Sequence, residues 1–278
     1  MWNCRGAGNP NFRRNFVDLM RSHRPSIAVL VETRISRQRA EDISSMLGFN
    51  SVCWSKAVGF CGGIWLLWNS GEISLDVLMV IDQAIHASVQ VSPSKPNWLL
   101  SAVYASPNLD TRLKIWDHLV NFASTHNTPW VVAGDFNDIL SRHEKFSSTP
   151  ANTRRIKAFH HCLDACNLLD LGFNGPRFTW TNKRDRGLVM ERLDRFLCNP
   201  SWQNLFEEAT VLHLPRVHSD HTPILLDTEP VHHRFGNRPF RFETIWLTDP
   251  SFPNLVNESW QTFPNNVNLA LADFTTRV

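Results

Sequence analysis

Short apolar runs alternate along the chain with longer polar stretches. The run at Ile27–Val31 is rich in β-branched residues and is bounded by polar positions. Similar runs follow at residues 63–68, 77–81, 87–91, 98–104, 130–133 and 223–226. Several of them lack strict alternation, which is typical of strands that are buried on both faces. The pattern therefore predicts β-sheets in the interior of the protein.

Three other stretches have the apolar spacing of amphipathic helices. In residues 11–23, Phe12 and Phe16 begin a series with helical spacing, and residues 110–125 and 153–167 repeat the pattern. Helices that alternate with buried strands indicate a layered α/β domain, with sheets inside and helices outside.

Composition excludes several other classes of protein. The 278 residues include eighteen Phe and eleven Trp, which argues against a disordered chain. No apolar run approaches the ~18 residues of a membrane helix, and the N-terminus lacks the apolar region of a signal peptide. Six scattered cysteines favour a reducing compartment. A net charge of +2 is compatible with nucleic-acid binding but does not require it.

The pattern changes near residue 228. Residues 232–239 are polar and basic, with a glycine and a proline, as in a linker. Residues 240–278 contain apolar side chains but are too few to build an independent core. We therefore predict one domain over residues 1–228, followed by a linker and tail over residues 229–278.

Polar side chains cluster where the apolar runs begin or end. They are Asn3, Glu32, Tyr104, Asp135, Asn137, Asp220 and His221. Open sheets bind ligands at strand ends, and hard cations such as Mg²⁺ prefer oxygen ligands. Glu32, Asp135 and Asp220 could supply those oxygens.

This residue set suits phosphodiester chemistry, which needs its developing charge neutralised and its water nucleophile aligned. A protonated His221 and the amides of Asn3 or Asn137 suit the first task, and Asp135 suits the second. A histidine also needs an acceptor that fixes its tautomer, and Asp194 is a candidate.

Seven motifs in a fixed order carry a resemblance to a known family. They are Trp2-Asn3-Cys4-Arg5-Gly6, Glu32-Thr33-Arg34, Val103-Tyr104-Ala105-Ser106-Pro107, Gly134-Asp135-Phe136-Asn137, Phe178-Thr179-Trp180, Arg192-Leu193-Asp194 and Ser219-Asp220-His221. Together they resemble the endonuclease/exonuclease/phosphatase superfamily, and more closely the apurinic-type endonuclease domain of plant LINE (non-LTR) retrotransposons. Residues 238–246 are similar to the segment that these elements carry before their reverse transcriptase.

The resemblance implies a fold, an activity and partners. The fold is a four-layered, deoxyribonuclease-I-like α/β sandwich of two mixed sheets flanked by helices, and the first strand, at Trp2-Asn3, would be truncated. The activity is Mg²⁺-dependent nicking of DNA that leaves a 3′-hydroxyl, with Mn²⁺ as a possible substitute. The partners are DNA and a reverse transcriptase domain of the parent element. A monomeric, nuclear protein without membrane attachment is expected.

The resemblance also assigns roles to the site residues. Glu32 would bind the metal with Asn3 beside it, and Asp220 would lie near the metal or the leaving group. Asp135 would activate or position the water. The remaining roles concern DNA and its phosphate: Asn137 and Tyr104 would hold the phosphate, His221 would bind the scissile phosphate, Asp194 would orient His221, and Thr179 and Trp180 would face the DNA.

Other readings of the same residues remain open. The chain could be a catalytically inactive retroelement relic with a binding role, or a phosphatase of the same superfamily. Asp194 could form a surface ion pair with Arg192 or Arg195, and the basic clusters at 154–157 and 183–186 could be solvated or contact phosphates. Cys162 and Cys166 lack the ligand spacing of a zinc site, so we expect them in the core.

Overall fold

The computed structural model describes residues 1–35, 37–55, 57–58, 61–184, 187–230, 251–262, 266, 269–270 and 273–274. The chain divides into two compact units, Met1–Pro230 and Val231–Val278. In the second unit, helix α6 (Phe252–Thr262) carries Trp260, whose ring contacts that of Phe274. The predicted linker at 232–239 and the segment at 238–246 lie outside the described residues.

The described part of the first unit consists of short strands and five α-helices. The strands are β1 (Trp2–Asn3), β2 (Ile27–Val31), β3 (Ser51–Trp54), β4 (Ala57–Val58), β5 (Cys61–Gly62), β6 (Ile64–Trp68), β7 (Ser74–Ile81), β8 (Ala84–Gln90), β9 (Trp98–Tyr104), β10 (Trp130–Asp135), β11 (Lys145–Phe146), β12 (Leu169–Asp170), β13 (Trp180–Arg184), β14 (Gly187–Glu191), β15 (Asp194–Cys198), β16 (Thr210–His213) and β17 (Ile224–Asp227). The helices are α1 (Pro10–His23), α2 (Arg37–Ser45), α3 (Leu109–Thr125), α4 (Thr153–Ala165) and α5 (Pro200–Leu205), with a 3₁₀ turn at Arg142–Glu144.

One mixed sheet has the strand order β1-β2-β6-β3, in which β1 runs parallel to β2. Met1, just before β1, exchanges two backbone hydrogen bonds of 2.8 and 2.9 Å with Ile224 of β17. The β16–β17 pair thereby continues this sheet beyond β1. Although β1 has only two residues, it is bonded on both sides, and Trp2 and Asn3 are both buried.

A second mixed sheet has the order β12-β15-β10-β9-β8-β7. Its central pair, β9 and β10, is parallel, and β15 runs antiparallel to β10. A separate three-stranded sheet, β11-β14-β13, lies between β10 and β15 in the sequence and supplies Trp180. The parallel direction of β9 and β10 brings their carboxyl ends to the same edge.

Three apolar clusters define the layers. The first joins the inner faces of the two large sheets, with Val31 of β2 against strands such as β9 and β10. The second packs the outer face of the second sheet against α3 and α4, and the third packs the outer face of the first sheet against α1 and α2. The resulting order is helix, sheet, sheet, helix, so the predicted four-layered α/β sandwich is confirmed.

The helices begin where asparagine side chains cap their first turns. Asn9 accepts a hydrogen bond from the backbone N–H of Asn11, Asn108 accepts from Thr111, and Asn152 accepts from two N–H groups of the first turn of α4. Such caps satisfy donors that the helix itself leaves unpaired. The three helices predicted from apolar spacing are therefore confirmed at α1, α3 and α4.

The two cysteines considered for zinc lie on α4 and just after it. Cys162 and Cys166 are buried in the cluster beneath α3 and α4, and the Cys162 thiol donates to the Trp116 carbonyl at 3.8 Å. Their place is in the core, as expected. None of the described helices has the length and apolar character needed to cross a membrane.

Candidate active site

Polar side chains from four strands, and from the segment just before a fifth, meet at one edge of the sandwich. Asp135 is the last residue of β10, and its neighbours in register are Tyr104 at the end of β9 and Asp194 at the start of β15. From the other sheet come Asn3 of β1 and His221, which precedes β17. The topology therefore brings together residues that are up to 218 positions apart in the sequence.

The innermost part of the site is a chain of hydrogen bonds among buried groups. His221 Nδ1 lies 2.8 Å from Asp194 Oδ2, and His221 Nε2 lies 3.8 Å from Asp135 Oδ2. The amide of Asn3 donates to Asp135 Oδ2 at 2.8 Å and lies 3.4 Å from His221 Nε2. Asp194 is fully buried, so it is not a surface ion pair.

Burial and charge shift the pKa values of this cluster. Burial raises the pKa of Asp135 to about 7, although the nearby His221 opposes the shift. For His221, burial alone would lower the pKa, but the charges of Asp194 and Asp135 outweigh it and raise the value to about 9. These shifts favour a protonated His221 near neutral pH, next to an Asp135 carboxyl group that can accept or release a proton there.

A glycine and a tight turn hold Asp135 in place. A Cβ on Gly134 would lie 2.3 Å from the Val103 carbonyl oxygen, so a glycine is needed where β10 approaches β9. After the strand, Asn137 adopts a φ of 49°, and its backbone N–H donates to Asp135 Oδ1 at 2.9 Å. The Asn137 amide donates to the Ala105 carbonyl at 2.8 Å, which joins this turn to the end of β9.

A second carboxylate, that of Glu32, follows β2 in a left-handed conformation with a φ of 52°. Its Oε1 accepts a 2.7 Å hydrogen bond from the Tyr104 hydroxyl, and its Oε2 forms an ion pair with Arg34 at 2.5 Å. The expected phosphate ligand Tyr104 thus also orients the expected metal ligand Glu32.

One oxygen of Asp220 has two partners at the rim. The Trp180 indole donates to Asp220 Oδ2 at 2.9 Å, and Arg5 contacts the same oxygen at 3.0 Å. Arg5 also lies 3.7 Å from Glu32 Oε2. Sequence reasoning did not assign a role to Arg5; its position two residues after Asn3, in the first motif, is the signal that could have indicated one.

Thr179 lies inside the protein rather than on a DNA-facing surface. Its side chain is fully buried, and its hydroxyl accepts hydrogen bonds from the N–H groups of Leu193 and Asp194 at 2.9 and 3.0 Å. The expectation that Thr179 faces DNA is therefore replaced by a supporting role. Trp180 is half-buried and binds Asp220, so it also supports the site.

The structure describes the side chains of the basic cluster at 154–157 but not those of the cluster at 183–186. Arg155 is held within the fold, because it binds the Asp138 carboxylate at 2.7 Å and the Asn137 carbonyl at 2.5 Å. Arg154 is exposed. The side chains of the 183–186 cluster lie outside the described residues.

The donor set of the site fits a hard divalent cation. Asp135, Asp194 and His221 offer ligand atoms within 4.8 Å of one another, but a protonated His221 cannot bind a metal, which makes this cluster the less suitable position. Asp194 Oδ1 is buried without a hydrogen-bond partner in the part of the chain that the structure describes. Nearer the surface, the carboxylates of Glu32 and Asp220 attract two guanidinium groups. Oxygen-rich, carboxylate-dominated sites suit Mg²⁺ and Mn²⁺ better than soft metals.

The sequence matches a known protein family over the part of the chain that holds the site. The Endonuclease/Exonuclease/phosphatase family model matches residues 2–221, which include every residue of the site described above. The chain belongs to this family. A search of curated proteins gives no match. The members of this family are hydrolytic nucleases and phosphatases, so hydrolysis of phosphate esters is the general chemistry of such a site.

Several solved structures of nucleases and a phosphatase have the same fold as this chain. The AP endonuclease LMAP from Leishmania major has a TM-score of 0.64 at 14% identity, covering 80% of this chain and 84% of that one. The endonuclease domain of TRAS1, a telomere-specific non-LTR retrotransposon, has a TM-score of 0.59 at 14% identity, with coverages of 79% and 93%. The 3′ phosphatase NExo from Neisseria, bound to a product DNA hairpin, has a TM-score of 0.59 at 18% identity, with coverages of 81% and 96%.

Proposed function

We propose that this protein is a DNA endonuclease that hydrolyses one phosphodiester bond, leaves a 3′-hydroxyl and requires Mg²⁺, with Mn²⁺ as a substitute. The observation that carries the proposal is the buried array of Asn3, Asp135, Asp194 and His221. It combines a cationic imidazolium, a carboxylate with a pKa near neutrality and an amide donor within hydrogen-bond distance. Phosphodiester hydrolysis needs these three functions at one point.

Each residue of the array has a specific task. Asp135, with a pKa of about 7, accepts a proton from the attacking water, because it is largely ionised above neutrality. His221, held by Asp194, presents a charged Nε2 to the scissile phosphate. The Asn3 amide donates to Asp135 and fixes the orientation of its carboxylate.

The metal would be held by the carboxylates near the rim, with Glu32 and Asp220 as the expected ligands and Asn3 close by. A bound divalent cation supplies Lewis acidity that offsets the negative charge building on the phosphate oxygens. Tyr104 keeps Glu32 in position through its 2.7 Å hydrogen bond, and Trp180 does the same for Asp220 at 2.9 Å. Tyr104 and Asn137 are the proposed phosphate contacts.

The biological setting we propose is target-site cleavage by a plant LINE (non-LTR) retrotransposon. The motif order and the similarity in fold to the TRAS1 endonuclease domain support it. In that setting the nuclease domain spans residues 1–228, acts as a monomer on nuclear DNA, and produces the 3′-hydroxyl primer for a reverse transcriptase domain of the parent element. Residues 229–278 form the connection.

The test is nicking of supercoiled plasmid DNA with Mg²⁺ or with EDTA. We expect Mg²⁺-dependent nicks that a DNA polymerase can extend, and a loss of about 10³-fold in rate for His221→Ala. His218→Ala is the matched control, because His218 is exposed in the same loop. Folded protein that binds DNA without nicking it would instead support the inactive relic, and release of phosphate from 3′-phosphorylated DNA without nicking would support the phosphatase.

A further inference from the structure

Arg5 connects the two carboxylates at the rim of the site. Its guanidinium lies 3.0 Å from Asp220 Oδ2 and 3.7 Å from Glu32 Oε2. The Arg5 side chain is 39% exposed, whereas those of Glu32 and Asp220 are 8% and 25% exposed. A single solvent-accessible cation therefore bridges two more deeply placed anions.

The guanidinium of Arg5 uses the same oxygens that a divalent cation would need. Arginine stays protonated at any physiological pH, so it cannot give up its charge when another cation approaches. Two cations that share one pair of carboxylates repel each other. A metal ion that binds to Glu32 and Asp220 therefore competes with Arg5 for these oxygens.

The two carboxylates can stay in place after Arg5 leaves, because each has a second anchor. The Tyr104 hydroxyl holds Glu32 Oε1, and the Trp180 indole holds Asp220 Oδ2. Arg5 itself follows the two-residue strand β1, two residues after Asn3, and its backbone adopts a left-handed φ of 52°. A displaced Arg5 side chain, already 39% exposed, would stay beside the site and be free to pair with another anion.

We propose that Arg5 and a divalent cation exclude each other at Glu32 and Asp220, and that the displaced Arg5 binds a phosphate of the DNA. This inference rests on the proposed function of the site. Arg5 then makes metal binding and DNA binding support each other: the metal releases the arginine, and the DNA phosphate keeps it away from the carboxylates. By linkage, the two ligands raise each other's affinity by the same factor.

Arg34 is a weaker candidate for this exchange. It pairs with Glu32 Oε2 at 2.5 Å, and no contact joins it to Asp220 among the described ion pairs. Arg34 contacts one of the two carboxylates, whereas Arg5 contacts both. Arg34→Gln is therefore a useful comparison for Arg5→Gln.

The first experiment measures Mn²⁺ binding to the protein without DNA, by electron paramagnetic resonance of the free ion. We expect Arg5→Gln to bind Mn²⁺ about fivefold more tightly than the wild type, because a partly exposed competing ion pair is removed. Arg13→Gln, an exposed position on α1, removes the same charge and should leave the affinity unchanged. Unchanged or weaker Mn²⁺ binding by Arg5→Gln would overturn the exclusion.

The second experiment measures DNA binding in a His221→Ala background, in which we expect nicking to be about 10³-fold slower. The affinity for a duplex oligonucleotide is followed against salt, with Mg²⁺ and with EDTA. In Mg²⁺, Arg5→Gln should reduce the slope of log affinity against log salt by about 0.9, the value for one lost phosphate contact. In EDTA, where the carboxylates retain Arg5, the slope should not change.

The outcomes of the second experiment separate the possibilities. An equal change in slope with Mg²⁺ and with EDTA would make Arg5 an ordinary phosphate contact and overturn the exchange. No change in slope under either condition would show that Arg5 does not contact a DNA phosphate, and would also overturn the proposal. Because neither experiment measures cleavage, a protein that fails to nick plasmid would refute the proposed function while both readouts still test Arg5.

Discussion

Two clusters of charged side chains lie on either side of strand β15, and they differ in their balance of charge. The ion-pair cluster consists of Arg192, Arg195, Glu144 and Asp170. The active-site cluster consists of Asp135, Asp194 and His221. The first has as many positive as negative groups, whereas the second has two carboxyl groups for one imidazole.

The balance of charge decides the pKa values in each cluster. Burial alone would raise the pKa of Glu144 and of Asp170, but the hydrogen bonds and charges of Arg195 and Arg192 hold both values below the usual range. In the active-site cluster, burial raises the pKa of Asp135 to about 7. The charge of His221 only partly opposes this shift, and the neighbouring Asp194 carboxyl group adds to it. The ion-pair cluster is thus fixed in charge, and the active-site cluster can exchange protons.

The two clusters are also coupled through the backbone. Arg195 donates to the Arg192 carbonyl at 2.7 Å and pairs with Glu144 at 2.9 Å, so it fixes the chain on both sides of Asp194. Successive side chains of a strand point to opposite faces, which places Asp194 in the site while Arg195 points away from it. The comparison indicates that one cluster provides stability and position and the other provides chemistry.

Asp194→Asn gives the largest expected effect on the active-site cluster. An amide cannot stabilise the imidazolium of His221, so the nicking rate should fall by about 10³-fold and the pKa of His221 should fall below its value of about 9. Plasmid nicking and NMR titration of the His221 ring measure the two effects. Asp76→Asn, on the exposed edge strand β7, is the control. A variant with full activity would remove Asp194 from the mechanism.

Arg195→Met should be the most damaging change in the ion-pair cluster. It removes the fully buried Arg195 and leaves the partly buried Glu144 and Asp170 carboxylates with one arginine instead of two. Breaking a fully buried ion pair costs up to about 3–5 kcal/mol. Urea denaturation measures the free energy of unfolding, with Arg13→Met on the surface of α1 as the control. If the loss were below about 1 kcal/mol, the cluster would not be a source of stability.

The pH dependence of stability should separate the two clusters. Glu144 and Asp170 have folded pKa values below their unfolded ones, so their contribution is present above about pH 4 and is lost as the pH falls. His221, with a folded pKa of about 9, contributes below its ordinary value of 6.5, and this contribution is lost as the pH rises through 9. Asp135, raised from 3.8 to about 7, also lowers stability as the pH rises over that interval.

Unfolding free energies measured from pH 3 to pH 10 test this assignment. Each proton that differs between the folded and unfolded states changes the free energy by up to about 1.4 kcal/mol per pH unit. We expect Arg195→Met to weaken the rise in stability on the acid side, and His221→Ala to weaken the fall on the alkaline side. The assignment would be wrong if each variant altered the opposite side.

The sequence predicted the layers and the main strands because both depend on local apolar periodicity. It also placed Asp135 and Asn137 together, because they follow one buried strand at a spacing of two. The supporting contacts were not predictable in this way. Arg5 meets Asp220 across 215 positions of sequence, and no local pattern carries such an ion pair. Thr179 was assigned to the DNA-facing site because of the family motif, and its true depth was not predictable because threonine is common in strands at any depth.

Substitution of Thr179 should have the smallest of the expected effects. This residue contacts the segment between the two clusters. Its hydroxyl binds the N–H groups of Leu193 and Asp194 at the start of β15. Thr179→Val leaves both buried donors unsatisfied, so we expect a loss of about 2 kcal/mol in unfolding free energy and about tenfold in nicking rate. Thr179→Ser retains the hydroxyl and should restore most of both.

Thr181→Val is the matched control for this last change. Thr181 lies on β13, two residues after Thr179, and its hydroxyl makes a single 3.4 Å hydrogen bond to the Val189 carbonyl in the neighbouring strand. If valine at both positions had the same small effect, the Thr179 hydroxyl would not be holding Asp194. If only Thr179→Val slowed nicking and serine restored it, the position of Asp194 would depend on this side chain as well as on the ion-pair cluster.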